Sequence, residues 1–259
     1  MIKVQGHRIE PTIFPDETTQ VWKLPAEVLS AATVHVDWRF EHEAELFQVA
    51  QLKMLLRQAA SFSLHVPYLP FARQDKEIKN NLTFGLHAFA KLLNNVGFDH
   101  VTAVDVHNPD VTKGLINNFK NIPVDDLHED LVEKLQPDFL VFPDAGARER
   151  YIYAKWRPHI VFEKERNQET GQITGHRLVP ELSATTDLGG KKLFIVDDIC
   201  DGGATFLSIA KAVQVHKDCT LDLFVTHGLF SKGRGILEKA GIRLHTTNSL
   251  PRNTDGIPV

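Results

Sequence analysis

Residues 192–213 read KLFIVDDICDGGATFLSIAKAV, and the order of their parts decides the fold. The apolar run Leu193–Val196 predicts a buried strand with two carboxylates, Asp197 and Asp198, at its end. The turn Gly202-Gly203 follows, and an apolar-periodic helix opens at Thr205. A strand that turns through glycine into a helix presents unpaired backbone N–H groups and the positive end of the helix dipole, so phosphate can be held there without a cationic side chain. Asp197 and Asp198 would repel phosphate and suit hydroxyls instead. The adjacent 2′ and 3′ hydroxyls of a ribose can donate to the carboxylate pair, while a 5-phosphate reaches Asp201, Gly202, Gly203, Ala204 and Thr205. The competing reading is an ordinary strand, tight turn and helix start with solvated aspartates.

Outward from this stretch, strands and helices alternate. Residues 43–60 have helical periodicity, with Leu46, Val49, Ala50, Leu52, Leu55 and Leu56 on one face. A strand is expected over 64–69, a helix over 83–96 stopped by Gly97, and a strand over 101–106. Further strands are expected at 140–142, 159–162, 193–196 and 221–227, with helices near 146–156 and 205–216. Such alternation argues for an α/β protein of mainly parallel sheets flanked by helices, whose ligands gather at the carboxyl ends of strands. The polar segment Gln168–His176, with two glycines, reads as a mobile loop.

With 259 residues, 42% of them hydrophobic, the chain can bury one large core or two modest ones. A boundary near Asn121–Asp126 gives domains 1–124 and 125–259. The net charge of −4 predicts no general affinity for nucleic acid. Two cysteines are too few for a disulfide framework or a zinc site, and Cys200 reads as a small loop hydrophobe. No apolar stretch approaches the roughly 20 residues that span a bilayer, and MIKVQGHRIEP lacks a signal h-region, so no membrane association and a cytoplasmic location are expected.

The segment VDDICDGGAT (Val196–Thr205) resembles the phosphoribosyl diphosphate (PRPP) motif of phosphoribosyltransferases and PRPP synthetases. YLPFARQDK (Tyr68–Lys76), AVDVHNP (Ala103–Pro109), FPDAGARERY (Phe142–Tyr151) and FEKER (Phe162–Arg166) resemble, in order, blocks of PRPP synthetase, ribose-phosphate diphosphokinase. The resemblance implies two phosphoribosyltransferase-like, Rossmann-like domains. It further implies transfer of the diphosphoryl group of ATP to the 1-hydroxyl of ribose 5-phosphate, with Mg²⁺ as cofactor. By that resemblance His107 and Asp144 are metal ligands, and Lys164 and Arg166 are catalytic cations. Arg73, Gln74, Asp75 and Lys76 bind ATP, as do Phe14 and Asp16 of FPDET, while Asp197, Asp198 and residues 201–205 bind ribose 5-phosphate.

Some positions depart from the family pattern. Lys76 replaces a usual arginine and Glu165 a usual basic residue, while Glu17 and Thr18 stand where glycine and glutamate are usual. Gly202 stands for threonine and Ala204 for glycine, which removes one hydroxyl donor to phosphate. The chain is also shorter than usual members, which implies self-association into a smaller assembly such as a dimer, with reduced or absent ADP inhibition at a separate site. Two other functions are compatible with part of the pattern: a phosphoribosyltransferase that uses PRPP as donor, and a non-catalytic relative that regulates an active synthetase. Retention of Lys164, Arg166, His107 and Asp144 argues against the second.

Overall fold

The computed structural model describes residues 1–77, 83–151, 157–166 and 173–259, with residues 166 and 173 described by their backbone alone. The chain forms two units. The first comprises Met1–Pro123 with Ser249–Thr254 and Val259, and the second Val124–Asn248 with Asp255–Pro258.

In the first unit the elements run β1 (Ile2–Val4), β2 (His7–Arg8), β3 (Thr12–Ile13), β4 (Thr19–Gln20), α1 (Ala26–Leu29), β5 (Thr33–Trp38) and α2 (Ala44–Leu55). They continue with β6 (Ser61–His65), α3 (Gly85–Val96), β7 (His100–Val104), α4 (Pro109–Leu115) and β8 (Phe119–Ile122). The main sheet has the order β2-β1-β5-β6-β7-β8; β5 to β8 are parallel and β1 and β2 are antiparallel at the edge. Parallel neighbours need crossover connections, which is why helices separate these strands in sequence.

Helix α3 buries Leu86, Phe89, Ala90 and Leu93, the i, i+3, i+4, i+7 stripe of an amphipathic helix, and Gly97 closes it in the left-handed region at φ 76°. Helix α2 departs from expectation. It ends at Leu55 rather than residue 60, and it buries Glu45 and Gln48 beside Val49 and Leu52 while Leu55 is exposed. The Glu45 carboxylate accepts hydrogen bonds from Trp38 Nε1 (2.9 Å) and the Glu41 amide (2.8 Å), and this compensation lets a charge take a core position.

The second unit contains α5 (Asp125–Leu135), β9 (Phe139–Phe142), α6 (Ala145–Arg150), β10 (His159–Arg166), β11 (Ile173–Leu178), β12 (Lys192–Cys200), α7 (Ala204–Val213), β13 (Thr220–Gly228), α8 (Gly235–Lys239) and β14 (Ile242–Thr246). Its sheet order is β11-β10-β9-β12-β13-β14, parallel throughout except for the β10/β11 pair. The central strands β12 and β13 are buried along nearly their whole length, as expected when both faces are covered. Phe194, Ile195, Leu223 and Val225 are fully enclosed; truncating Phe194 to alanine should cost about 3–5 kcal/mol.

The α/β class read from the alternation is the one observed. Boundaries differ: β6 spans Ser61–His65 rather than 64–69, β7 His100–Val104 rather than 101–106, and α7 Ala204–Val213 rather than 205–216. Three further differences bear on the site. Strand β12 continues past Val196 through both carboxylates to Cys200, because β13 pairs with it as far as Gly228. Strand β10 runs through the whole of FEKER, and residues 173–176, expected in a loop, belong to its antiparallel partner β11. Helix α6 ends at Arg150; the remainder of the expected helix (152–156) and of the expected loop (168–172) lies outside the described residues.

Candidate active site

The loop expected to hold phosphate stands where β12 gives way to α7. Gly203 occupies the N-cap of α7 at φ 76°, and no side-chain hydrogen bond caps that end among the described residues. The first amides of the helix are thus left for an external acceptor, and no acidic residue sits in the first turn to repel an anion. A Cβ on Gly203 would lie 3.0 Å from Leu237 Cδ2, so both the backbone angle and the space favour glycine. Asp201 and Ala204 are exposed, and Gly202 and Thr205 are half-buried at the rim.

The chain after β13 wraps this loop. The Leu229 and Phe230 amides donate to the Cys200 carbonyl (2.8 and 3.1 Å), and the Ser231 amide to the Asp201 carbonyl (3.2 Å). Lys232 consequently lies alongside, its Cε 3.4 Å from where a Cβ on Gly202 would stand. The sequence reading did not single out Lys232. Its signal is the basic-glycine run SKGRG directly after a strand parallel to β12, where loops from neighbouring strands meet.

The two carboxylates of β12 have different surroundings. Asp198 is buried and pairs with Arg150, the last residue of α6, at 3.4 Å. Asp197 is half-buried and accepts from the Asp198 amide at 3.0 Å. Burial and the charge of Asp198 push the Asp197 carboxyl well above its ordinary pKa, so the pair binds a proton more readily than two solvated aspartates would. Burial pushes the Cys200 thiol up to about 12, which leaves it unreactive, as a core hydrophobe should be.

Asp144 follows β9 and caps α6, its Oδ1 accepting from the Ala147 amide at 3.0 Å. Its Oδ2 accepts from Lys164 Nζ at 3.0 Å. Burial raises the Asp144 pKa, but the amide and ammonium bonds together outweigh it and hold the carboxyl below its ordinary value. The structure therefore joins the expected catalytic lysine to one of the expected metal ligands. Arg166 ends β10, two residues beyond Lys164. Glu165, the acidic departure, lies over Gly175, whose missing side chain makes room for the carboxylate.

The remaining candidates belong to the first unit. His107 is half-buried just before α4, which Asn108 caps by accepting from the Val111 amide at 3.3 Å, with Pro109 at the first helical position. The Asn108 side chain also donates to Asp75 Oδ2 (2.7 Å) and so ties Arg73–Lys76 to the His107 turn. Arg73, Gln74 and Lys76 are exposed, and the Gln74 side chain lies against Gly85 at the start of α3. In FPDET, Asp16 Oδ1 accepts from the Thr18 amide (3.1 Å) and hydroxyl (2.7 Å), while Phe14 is exposed between β3 and β4. Asp16 thus shapes its own turn.

An ionised carboxylate such as Asp144 suits a hard dication that takes most of its oxygens from phosphate and water. An imidazole such as His107 is a less usual partner. Among the described residues no group of three His, Cys, Asp or Glu forms a self-sufficient metal cage.

The chain is 30% identical over 202 residues to a ribose-phosphate pyrophosphokinase of Pyrococcus abyssi, an alignment that covers 75% of this chain and 67% of that protein. It belongs to the ribose-phosphate pyrophosphokinase family. A member from Sulfurisphaera tokodaii is 24% identical over 270 residues, spanning all of this chain and 90% of its own. The crystal structure of phosphoribosylpyrophosphate synthetase from Mycobacterium smegmatis superposes with a TM-score of 0.72 at 21% identity, over 96% of this chain and 82% of that one, a likeness that establishes the two-unit fold. No protein-family profile matches the chain.

Proposed function

We propose that the chain is a ribose-phosphate pyrophosphokinase, a transferase that converts ATP and ribose 5-phosphate into PRPP and AMP. The ribose O1 bonds to the β-phosphorus, the bond from that phosphorus to the oxygen bridging the α-phosphorus breaks, AMP leaves with the bridging oxygen, and the O1 proton is released. The observation that carries this reading is the pairing of Lys164 with Asp144 in the same unit as an uncapped phosphate loop, in a member of this family.

The amides of residues 202–205 and the Thr205 hydroxyl hold the 5-phosphate, and Lys232 supplies the cation that compensates for the hydroxyl missing at Gly202. Asp197 accepts from the ribose hydroxyls, and Asp198 is held behind it by Arg150. Lys164 and Arg166 stabilise charge on the diphosphoryl group, since phosphoryl transfer depends on positioning and charge neutralisation more than on covalent help. Arg73 and Lys76 serve the phosphates of ATP, with Gln74, Asp75, Phe14 and Asp16 supporting the nucleotide. Mg²⁺ would supply charge neutralisation, with Asp144 and His107 the residues that would hold it. Self-association and a cytoplasmic location, where phosphorylated substrates are retained, belong to the same reading.

The test is AMP and PRPP formation from ATP, ribose 5-phosphate and Mg²⁺, with a control lacking ribose 5-phosphate. Equal amounts of the two products support the synthetase. Pyrophosphate release from PRPP and a base without ATP would replace it with a transferase, and no turnover at all would make the chain non-catalytic.

A further inference from the structure

Strands β10 and β11 form an antiparallel ribbon in which Phe162 stands opposite Leu178 and, one rung further along the same face, Lys164 stands opposite His176. Phe162 and Leu178 belong to the apolar core of the second unit. Lys164 and His176 continue that face, and β11 packs against α7, the helix that opens from the phosphate loop.

The two residues have complementary deficits. The Lys164 ammonium has three protons to donate, and among the described residues one hydrogen bond, to Asp144, uses them. His176 is 7% exposed, and neither ring nitrogen has a hydrogen-bond partner among the described residues. A buried imidazole without partners lowers stability, and native proteins seldom tolerate that without a reason. Burial, followed by the charge of Lys164, lowers the pKa of the ring against the weaker opposing effects of Asp144 and Glu165. A neutral ring keeps one nitrogen as an acceptor. Directly opposed residues in such a ribbon have Cβ atoms about 4.5–5.5 Å apart, within reach of a lysine side chain.

We propose that His176 is the positioning residue for Lys164: its ring nitrogen accepts a hydrogen bond from the ammonium and holds it on the diphosphoryl group during transfer. The assignment rests on Lys164 being the catalytic cation of the proposed reaction. At rest the ammonium is held by Asp144 and not by His176, so the bond to His176 is the anchor it takes up as it turns to the diphosphoryl group.

Replacing the ring by phenyl, His176→Phe, removes both nitrogens and keeps the bulk. The expected result is a kcat lower by about tenfold or more, KM values for ATP and ribose 5-phosphate within about twofold of wild type, and a thermal midpoint at or above wild type. His176→Gln, which restores an acceptor, should recover part of kcat. Wild-type kcat in His176→Phe, or a glutamine variant no better than the phenylalanine one, overturns the proposal. A readout independent of activity and of His176 substitution is the ¹⁵N spectrum of the His176 ring in protein saturated with ribose 5-phosphate and a non-hydrolysable ATP analogue, with and without Lys164→Met. A changed ring-nitrogen shift is expected, and identical spectra overturn the pairing. A wild-type protein that makes no PRPP would refute the proposed function instead, and the spectra would still decide the pairing.

Discussion

Lys164→Ala separates chemistry from stability. The Lys164–Asp144 pair joins two side chains that are 34% and 36% exposed. Pairs so open to water contribute less than about 1 kcal/mol after screening. The thermal midpoint should therefore fall by no more than about 2–4 °C. A lysine aimed at charge that develops during transfer contributes far more to the reaction, about 2.7–4 kcal/mol, or a factor of about 10²–10³ in kcat. The KM for ribose 5-phosphate should be unchanged, because that substrate is proposed to rest on the α7 loop. The linkage has a definite sign. Asp144 has a folded pKa below the unfolded value of 3.8, so its contribution is present above pH 3.8 and is lost as pH falls through the folded pKa. Wild type and Lys164→Ala should accordingly differ slightly in denaturant midpoint at neutral pH and converge in acid. Steady-state AMP release with a parallel urea titration measures both. A kcat within about threefold of wild type would remove Lys164 from the mechanism, and a large loss of stability at neutral pH would make it structural.

Three other substitutions or perturbations test different parts of the structure. Gly203→Ala places a Cβ at φ 76° and 3.0 Å from Leu237; it should cost about 1–2 kcal/mol in urea titration and raise the KM for ribose 5-phosphate. Lys232→Ala should raise that KM by about tenfold and leave the KM for ATP alone; equal KM values would place the side chain outside the phosphate site. His128, packed against Tyr151 and Phe224, has its pKa lowered by burial from 6.5 to about 3. Its stabilising effect is thus complete above pH 6.5 and is lost as pH falls. Between pH 7 and pH 5 the loss is about 2 kcal/mol, a figure that depends only on the folded pKa lying well below 5. His128→Phe should flatten the stability profile over that range, and an unchanged slope would assign the acid sensitivity to other groups.

Much of the second unit is legible in the sequence because local and tertiary preferences agree there. Leu193–Val196 is apolar, the glycines stand where a turn is needed, and Phe206, Ile209, Ala210 and Val213 repeat at helical spacing. The strand continuation through Asp197 and Asp198 is not legible, because two carboxylates look like an ending until Arg150 and β13 are known. Glu163–Arg166 looks like a charged surface turn for the same reason: what makes it a strand is pairing with residues 173–178, a polar run with little strand character of its own. The inward side of α2 is hidden likewise, since Glu45 is buried with the N-terminal ammonium, Trp38 and the Glu41 amide to satisfy it. Lys232 and His176 escape the sequence reading because each acquires meaning from a neighbour distant in sequence, Gly202 in one case and Lys164 in the other.

Helix α6 has Asp144 as its cap and Arg150 as its last residue, with Asp144 bound to Lys164 and Arg150 bound to Asp198. Six residues of helix make a strut about 9 Å long. A helix this short keeps its two ends at a fixed separation, so the arginine that pairs with Asp198 stands at a set distance from the carboxylate that holds Lys164. On the proposed reading, the group that meets the diphosphoryl moiety and the group that backs the sugar are therefore spaced by one stiff component.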